Sequence, residues 1–113
     1  MDYSTISIDK IIHEKARLII LTYLANTTSK NVAFNELKEK LEFTSGNLSV
    51  QLRTLENTGY IKINKKIKNK KSSTTVVLTP EGLKALNEYI GQMESIINMV
   101  KKNTRDERGN PYD

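Results

Sequence analysis

A mainly helical α+β fold, with a basic β hairpin set before a long last helix, is what three features of this sequence predict. The first is the stretch Phe43 to Asn57, which carries a helix start, one apolar face and, two residues on at Gly59, a stop. The second is a pair of β-branched runs, Tyr60 to Ile63 and Thr74 to Leu78, held apart by a block of lysines. The third is a C-terminal run from Thr79 to Lys102 whose apolar residues recur at heptad spacing. Together they divide the chain into an arm (residues 1–8), a compact unit (9–78), a long helix (79–102) and a flexible tail (103–113).

In the arm, Ile6 and Ile8 alternate with Ser7, as in a segment that docks on another surface. Asp9 is placed to cap a helix reaching about Asn26, with Ile12, Ala16, Ile19, Ile20, Tyr23 and Leu24 as a wide apolar band. A helix so apolar is expected to be buried on more than one side. His13 lies four residues after Asp9 and beside Glu14, but a metal site needs three or four converging ligands. A surface or interface histidine is therefore expected, and no metal.

Asn26 to Asn31 reads as a polar loop and Val32 with Ala33 as a brief edge strand. Asn35 is placed to cap a short helix with Leu37 and Leu41 inward and Glu36, Lys38, Glu39, Lys40 and Glu42 outward. A tight turn from Glu42 to Thr44 then leads into the helix at residues 45–58. Thr44 is its N-cap, Phe43 and Leu48 are spaced as a hydrophobic staple, and Gly59 suits the left-handed residue past its end. The pair of helices and their turn make a helix-turn-helix.

Leu48, Leu52 and Leu55 form the buried stripe of that second helix. At about 100° per residue, the opposite face carries Gly46, Val50, Arg53 and Asn57, flanked by Asn47, Ser49 and Thr54. That face holds no acid. Arginine can bond guanine with two hydrogen bonds, asparagine can do so to adenine, and a small apolar group can rest on a thymine methyl. Asn47, Ser49, Val50, Arg53 and Thr54 are accordingly the candidate base-reading residues.

After Gly59, a strand at Tyr60, Ile61 and Ile63 and a second at Thr74 to Leu78 predict a hairpin whose tip is basic. Between Lys62 and Lys71 lie six lysines and no acid, a density that repels itself unless an anion is near. Lys65, Lys66, Lys68, Lys70 and Lys71, with Thr44 and Ser45 at the positive end of the preceding helix, are the candidate phosphate contacts.

Thr79-Pro80-Glu81 is a strong helix start. Beyond it Leu83, Leu86, Ile90, Met93, Ile97 and Val100 alternate steps of three and four. Such a helix outruns the core of a small domain, so these six residues are expected to form a homodimer seam.

Composition bounds the rest. At 113 residues and 37% hydrophobic, the chain can bury one core. It has no cysteine, which excludes disulfides and thiolate zinc sites, and it shows neither a span-length apolar run nor a signal-peptide pattern, so a cytoplasmic, non-membrane protein is expected. A net charge of +5 and a pI near 9.4 favour a polyanionic partner. With one histidine, no phosphate-binding glycine loop and no motif-placed carboxylate pair, an enzyme is not expected, and no cofactor is implied.

In this order of elements the chain resembles the winged-helix transcriptional regulators of the MarR-like kind, in particular the small subgroup without a ligand domain. The resemblance rests on Asp9 through Leu21, Phe34-Asn-Glu-Leu-Lys, Thr44-Ser-Gly-Asn-Leu-Ser, Leu55-Glu-Asn-Thr-Gly-Tyr-Ile and Leu78-Thr-Pro-Glu-Gly-Leu. It implies a dimer joined through the terminal helix, aided by the first, that sets helix 45–58 of each subunit into successive major grooves. The lysine-rich wing, residues 62–73, would lie on the backbone or in the minor groove. Many relatives carry a basic residue where this chain has Val50 and Gln51. The wing also lacks the arginine that often enters a minor groove, which directs it to phosphates more than bases.

Three functions stay open at this point: a dimeric sequence-specific regulator binding double-stranded DNA, a weakly specific architectural DNA binder, and a winged-helix protein-interaction module. Nothing in the sequence identifies a small-molecule effector.

Overall fold

The structure, a computed structural model, describes residues 3–28 and 31–108. Tyr3–Thr5 form one 3-10 turn, followed by α1 (Lys15–Asn26), β1 (Val32–Ala33), α2 (Phe34–Lys40), α3 (Ser45–Thr58), β2 (Ile61–Lys68), β3 (Lys71–Leu78) and α4 (Pro80–Arg108). The strands form one antiparallel sheet in the order β1-β3-β2.

α1 begins at Lys15, five residues later than the sequence predicts. The reason is that Glu14 wins the capping position: its carboxylate accepts from the N–H groups of Ala16 and Arg17. Asp9 instead closes a separate turn by accepting from Ile11 N (2.8 Å) and Ile12 N (3.1 Å). Within α1, Ile20 and Leu24 are buried and Tyr23 packs on the core as expected, while Leu21 joins them and Ile19 is exposed. α2 also starts earlier, with Ala33 at its N-cap; Asn35 lies inside the helix and caps nothing. Its acidic first turn is held instead by Glu36, which accepts a short hydrogen bond from the Tyr23 hydroxyl of α1.

The core is formed by Ile12, Ile20, Leu21 and Leu24 from the N-terminal third, Val32, Leu37, the three leucines of α3, Ile61 and Val76 of the sheet, and Leu86 and Tyr89 of α4. The arm docks on its own chain: Ile8 packs on this core, and Tyr3 and Ile6 line a groove with Ile96 and Met99 of α4.

α4 continues six residues beyond Lys102, where the sequence predicts the tail to begin; residues 109–113 lie outside the described residues. Its proximal half is anchored. Thr79 is buried, and its Oγ1 donates to the Gly59 carbonyl (2.7 Å) and accepts from Gly82 N (2.9 Å), while Thr79 N donates to the Tyr60 carbonyl (3.1 Å). The distal half extends away, giving the molecule a long axis of 67 Å against 29 and 25 Å.

Tyr60 carries a second tie, donating its hydroxyl to Asp9 Oδ2 at 2.5 Å. That carboxylate pushes the Tyr60 phenol from 10.0 up to about 12, with burial adding to the effect. Because the fold holds this proton more tightly than the unfolded chain does, the bond stabilises fully below pH 10 and is lost as pH rises through about 12. Tyr60→Phe should cost about 1.5 kcal/mol at neutral pH. It should also flatten the alkaline fall in stability, which urea unfolding at pH 8 and pH 11.5 would register; equal losses in the two proteins would detach Tyr60 from it.

Candidate nucleic-acid interface

α3 is delimited as its sequence requires. Thr44 Oγ1 accepts from Asn47 N at 3.1 Å, and Gly59 is left-handed (φ 89°) with Gly59 N donating to Glu56 O and Tyr60 N to Leu55 O. The turn before it is closed in the same way, with Glu42 at φ 57° and Phe43 N donating to Lys38 O. Leu48, Leu52 and Leu55 are buried, so the rest of the helix is presented outward.

The hairpin corrects the expected wing. Its strands run eight residues each and meet at a two-residue turn, Asn69-Lys70, with both φ angles positive (52° and 62°). The lysines thus stand on strands and not on a loop, and pleating divides them between two faces. Cross-strand pairing puts Ile61, Ile63, Lys65 and Ile67 with Leu78, Val76, Thr74 and Ser72 on one face; Lys62, Lys66, Lys68 and Lys71 share the other. Lys70 sits in the turn. Among the described residues none of these lysines is ion-paired.

The face with Lys65 looks onto α3. Between them runs a groove of about 570 Å³ lined by Phe34, Ser49, Leu52, Arg53, Glu56, Ile63, Lys65 and Thr74. Two predicted base readers, Ser49 and Arg53, and one predicted phosphate contact, Lys65, converge there. Glu56 brings a carboxylate into the groove that the sequence-derived face left out. Val50 is 56% exposed and points away from the leucine stripe. Asn47 lies on the opposite flank of α3 from the groove, and half-buried Thr54 turns its hydroxyl back to the Val50 carbonyl (3.3 Å). Thr44 and Ser45 are exposed at the helix N-terminus, while Lys66, Lys68 and Lys71 stand on the wing face turned from α3.

Ile67, 81% exposed near the wing tip, was not singled out from sequence, although the alternation Ile61, Ile63, Lys65, Ile67 holds the signal. Arg17 and Gln51 were also missed. Arg17 Nη1 donates to Gln51 Oε1 (2.9 Å), and Gln51 Nε2 donates to Asn47 Oδ1 (3.1 Å). His13 shares a hydrogen bond of 2.9 Å with the Tyr89 hydroxyl. Among the described residues, no three His, Cys, Asp or Glu side chains gather as a metal site would need, and no helix is long and apolar enough to cross a membrane.

The predicted dimer seam separates into two stripes. Leu86 is 2% exposed and Met93 packs on the same core, so both belong to their own chain's interior. Leu83, Ile90 and Ile97, seven apart, are 44–46% exposed along the other side, with Val100 exposed further on. The physical reason is that the proximal half of α4 already has a partner in the core, which takes the side facing it.

Residues 16–97 match the winged helix DNA-binding domain family. An uncharacterised protein of Methanocaldococcus jannaschii is 35% identical over 81 residues, 72% of this chain and 86% of that protein. A transcriptional regulator homologue from Pyrococcus horikoshii OT3 superposes with a TM-score of 0.72 at 26% identity, covering 80% of this chain and 87% of that one. The S. aureus MepR–DNA complex gives 0.64 at 17% identity, covering 88% of this chain and 73% of that one. A PadR family transcriptional regulator from Eggerthella lenta gives 0.63 at 20%, covering 78% and 80%. At such identities the last two speak for the fold alone. The fold is that of DNA-binding transcriptional regulators, not of enzymes, and the resemblance read from the sequence holds. The chain belongs to the winged helix DNA-binding domain family.

Proposed function

We propose that this protein is a dimeric, sequence-specific regulator of transcription that acts on double-stranded DNA in the cytoplasm, with α3 in the major groove and the wing along the backbone or minor groove. The observation that carries this reading is the convergence of Ser49, Arg53 and Lys65 in one groove between α3 and the wing, beside lysines that have no ion-pair partner among the described residues. Arg53 and its neighbours read base edges; the lysines, with Thr44 and Ser45, hold phosphates. Two-fold symmetry would place two half-sites about 10 base pairs apart.

The dimer is supported by the stripe Leu83, Ile90 and Ile97, which the parent domain leaves exposed, together with exposed Ile19 on α1. Ile97→Glu should leave the helical signal unchanged and convert the dimer to a monomer in sedimentation. A mass unaltered by the charge would remove this stripe from the interface. Met93 is unsuited to the same test, since a charge there would enter the protein's own core.

The reading itself is tested by fluorescence anisotropy with the DNA upstream of this protein's own gene and a scrambled copy, each at several salt concentrations. Preference for the native sequence by on the order of a thousandfold or more is expected, and Arg53→Ala should lose about 1–3 kcal/mol on the preferred site and little on the scrambled one. Equal losses would take Arg53 out of base readout. A second reading, a weakly specific architectural binder, is favoured by the lysines on the wing face turned from α3, and predicts equal binding with a steep salt slope.

A further inference from the structure

The hydrogen-bonded row Arg17, Gln51, Asn47 joins α1 to the flank of α3, and its polarity is set by chemistry. A guanidinium can only donate. Gln51 must therefore turn its carbonyl to Arg17 Nη1, at 2.9 Å. Its amide nitrogen is then directed along the helix to Asn47, four residues earlier, and can only be satisfied by an acceptor, so Asn47 turns Oδ1 toward it at 3.1 Å. The orientation of two side-chain amides, normally free to flip, follows from one arginine. Arg17 is itself fixed: it is half-buried, donates Nε to the Ile11 carbonyl at 2.6 Å, and lies 3.7 Å from Glu14.

We infer that Arg17 and Gln51 are positioning residues that present Asn47 to DNA as a hydrogen-bond donor, giving it a preference for guanine or thymine, whose major-groove hydrogen-bonding atoms are all acceptors, over adenine, whose N6 amino group is itself a donor. The inference rests on the DNA-binding reading above and sharpens it. Two-bond recognition of adenine requires asparagine to donate to N7 and accept from the N6 amino group together. With Oδ1 engaged by Gln51, Asn47 has its Nδ2 protons left to donate; these match guanine N7 and O6 or thymine O4, whereas adenine offers N7 beside a competing N6 donor. The amide alone permits adenine; the row behind it selects against it.

The test is selection from double-stranded DNA with a randomised 20-base-pair centre, about two turns of duplex, using the full chain. Asn47→Ala first marks the base pair that Asn47 reads, as the one whose preference flattens. At that pair the wild type is expected to select guanine or thymine. Arg17→Met and Gln51→Met, which release Asn47 to turn, should each shift the ratio toward adenine by on the order of tenfold. Arg17→Lys, still donor-only, should keep the wild-type choice. Gln51→Met leaves the Arg17 bond to Ile11 intact, so it stands if Arg17→Met folds poorly. A wild-type preference for adenine at that pair, or a preference that neither methionine variant moves, overturns the inference while leaving the regulator reading intact. No enriched motif at all overturns both. Independently of DNA, the Asn47 side-chain amide resonances should move in both methionine variants; fixed resonances overturn the row itself.

Discussion

Gly82→Ala should destabilise this domain by about 3 kcal/mol, at the upper end of what an overpacked methyl costs. A Cβ at Gly82 would lie 2.1 Å from the Tyr60 carbonyl oxygen and 2.9 Å from its carbon. Both are backbone atoms, so no rotamer change relieves the clash. Nor is the Tyr60 peptide free to move, because its carbonyl accepts from Thr79 N while the preceding Gly59 carbonyl accepts from Thr79 Oγ1. Relief would require withdrawing the start of α4 from the end of α3, breaking those bonds and loosening Leu86 in the core. Gly91, also on α4, is the control: nothing lies within 4 Å of its virtual Cβ. Gly91→Ala should therefore stabilise, by up to about 1 kcal/mol of helix propensity. Urea unfolding followed by circular dichroism measures both, and a Gly82→Ala midpoint equal to the wild type would refute the close approach.

The largest effect on DNA binding is expected from the wing. Replacing Lys65, Lys66, Lys68, Lys70 and Lys71 together by Gln should weaken binding by on the order of 10³ at moderate salt, and lower the slope of log K against log salt by about 4.5. Each phosphate contact contributes about 0.9 to that slope, and among the described residues these lysines have no ion-pair partners to lose. The division into faces refines the expectation. A triple change of Lys66, Lys68 and Lys71, which share the face turned from α3, should reduce the slope by about 3 while sparing the preference for a target over a scrambled sequence. Lys65→Gln, in the groove beside Arg53, should lower that preference. An unchanged slope in the fivefold variant would place the wing away from DNA and favour the protein-interaction module.

What was legible from sequence depended on whether the deciding interaction was local. The bounds of α3 could be read because Thr44, the leucine stripe and Gly59 act within a turn or two of chain. The start of α4 was found for the same reason, since Thr79 caps it within three residues. The starts of α1 and α2 were not, since several residues there are able to cap and the choice is made by what each end packs against: Glu14 displaced Asp9, whose carboxylate is instead engaged by Tyr60 and the turn before α1. The length of the wing strands was hidden because lysines and serines are poor strand signals and Asn-Lys is not the Asn-Gly pair that marks a two-residue turn. At the candidate interface, residue types pointed to Arg53 and Ser49, but Glu56 and the Arg17–Gln51–Asn47 row depend on tertiary contacts that no spacing rule exposes. The heptad on α4 was correctly periodic, yet periodicity alone could not tell that Leu86 and Met93 pack on this chain's own core while Ile90 and Ile97 stay exposed.

The junction of Gly59, Tyr60, Thr79 and Gly82 has a mechanical consequence. With backbone pressed on backbone, α3 and α4 have no compliant joint between them, and α4 becomes a stiff lever welded to α3. Its 29 residues span about 43 Å, so a tilt of only ~5° displaces the far end by roughly 4 Å. In the proposed dimer, gripped by the distal part of α4, a small change in the angle between the two levers would re-space the two copies of α3, with each domain turning as a solid body and its core undisturbed.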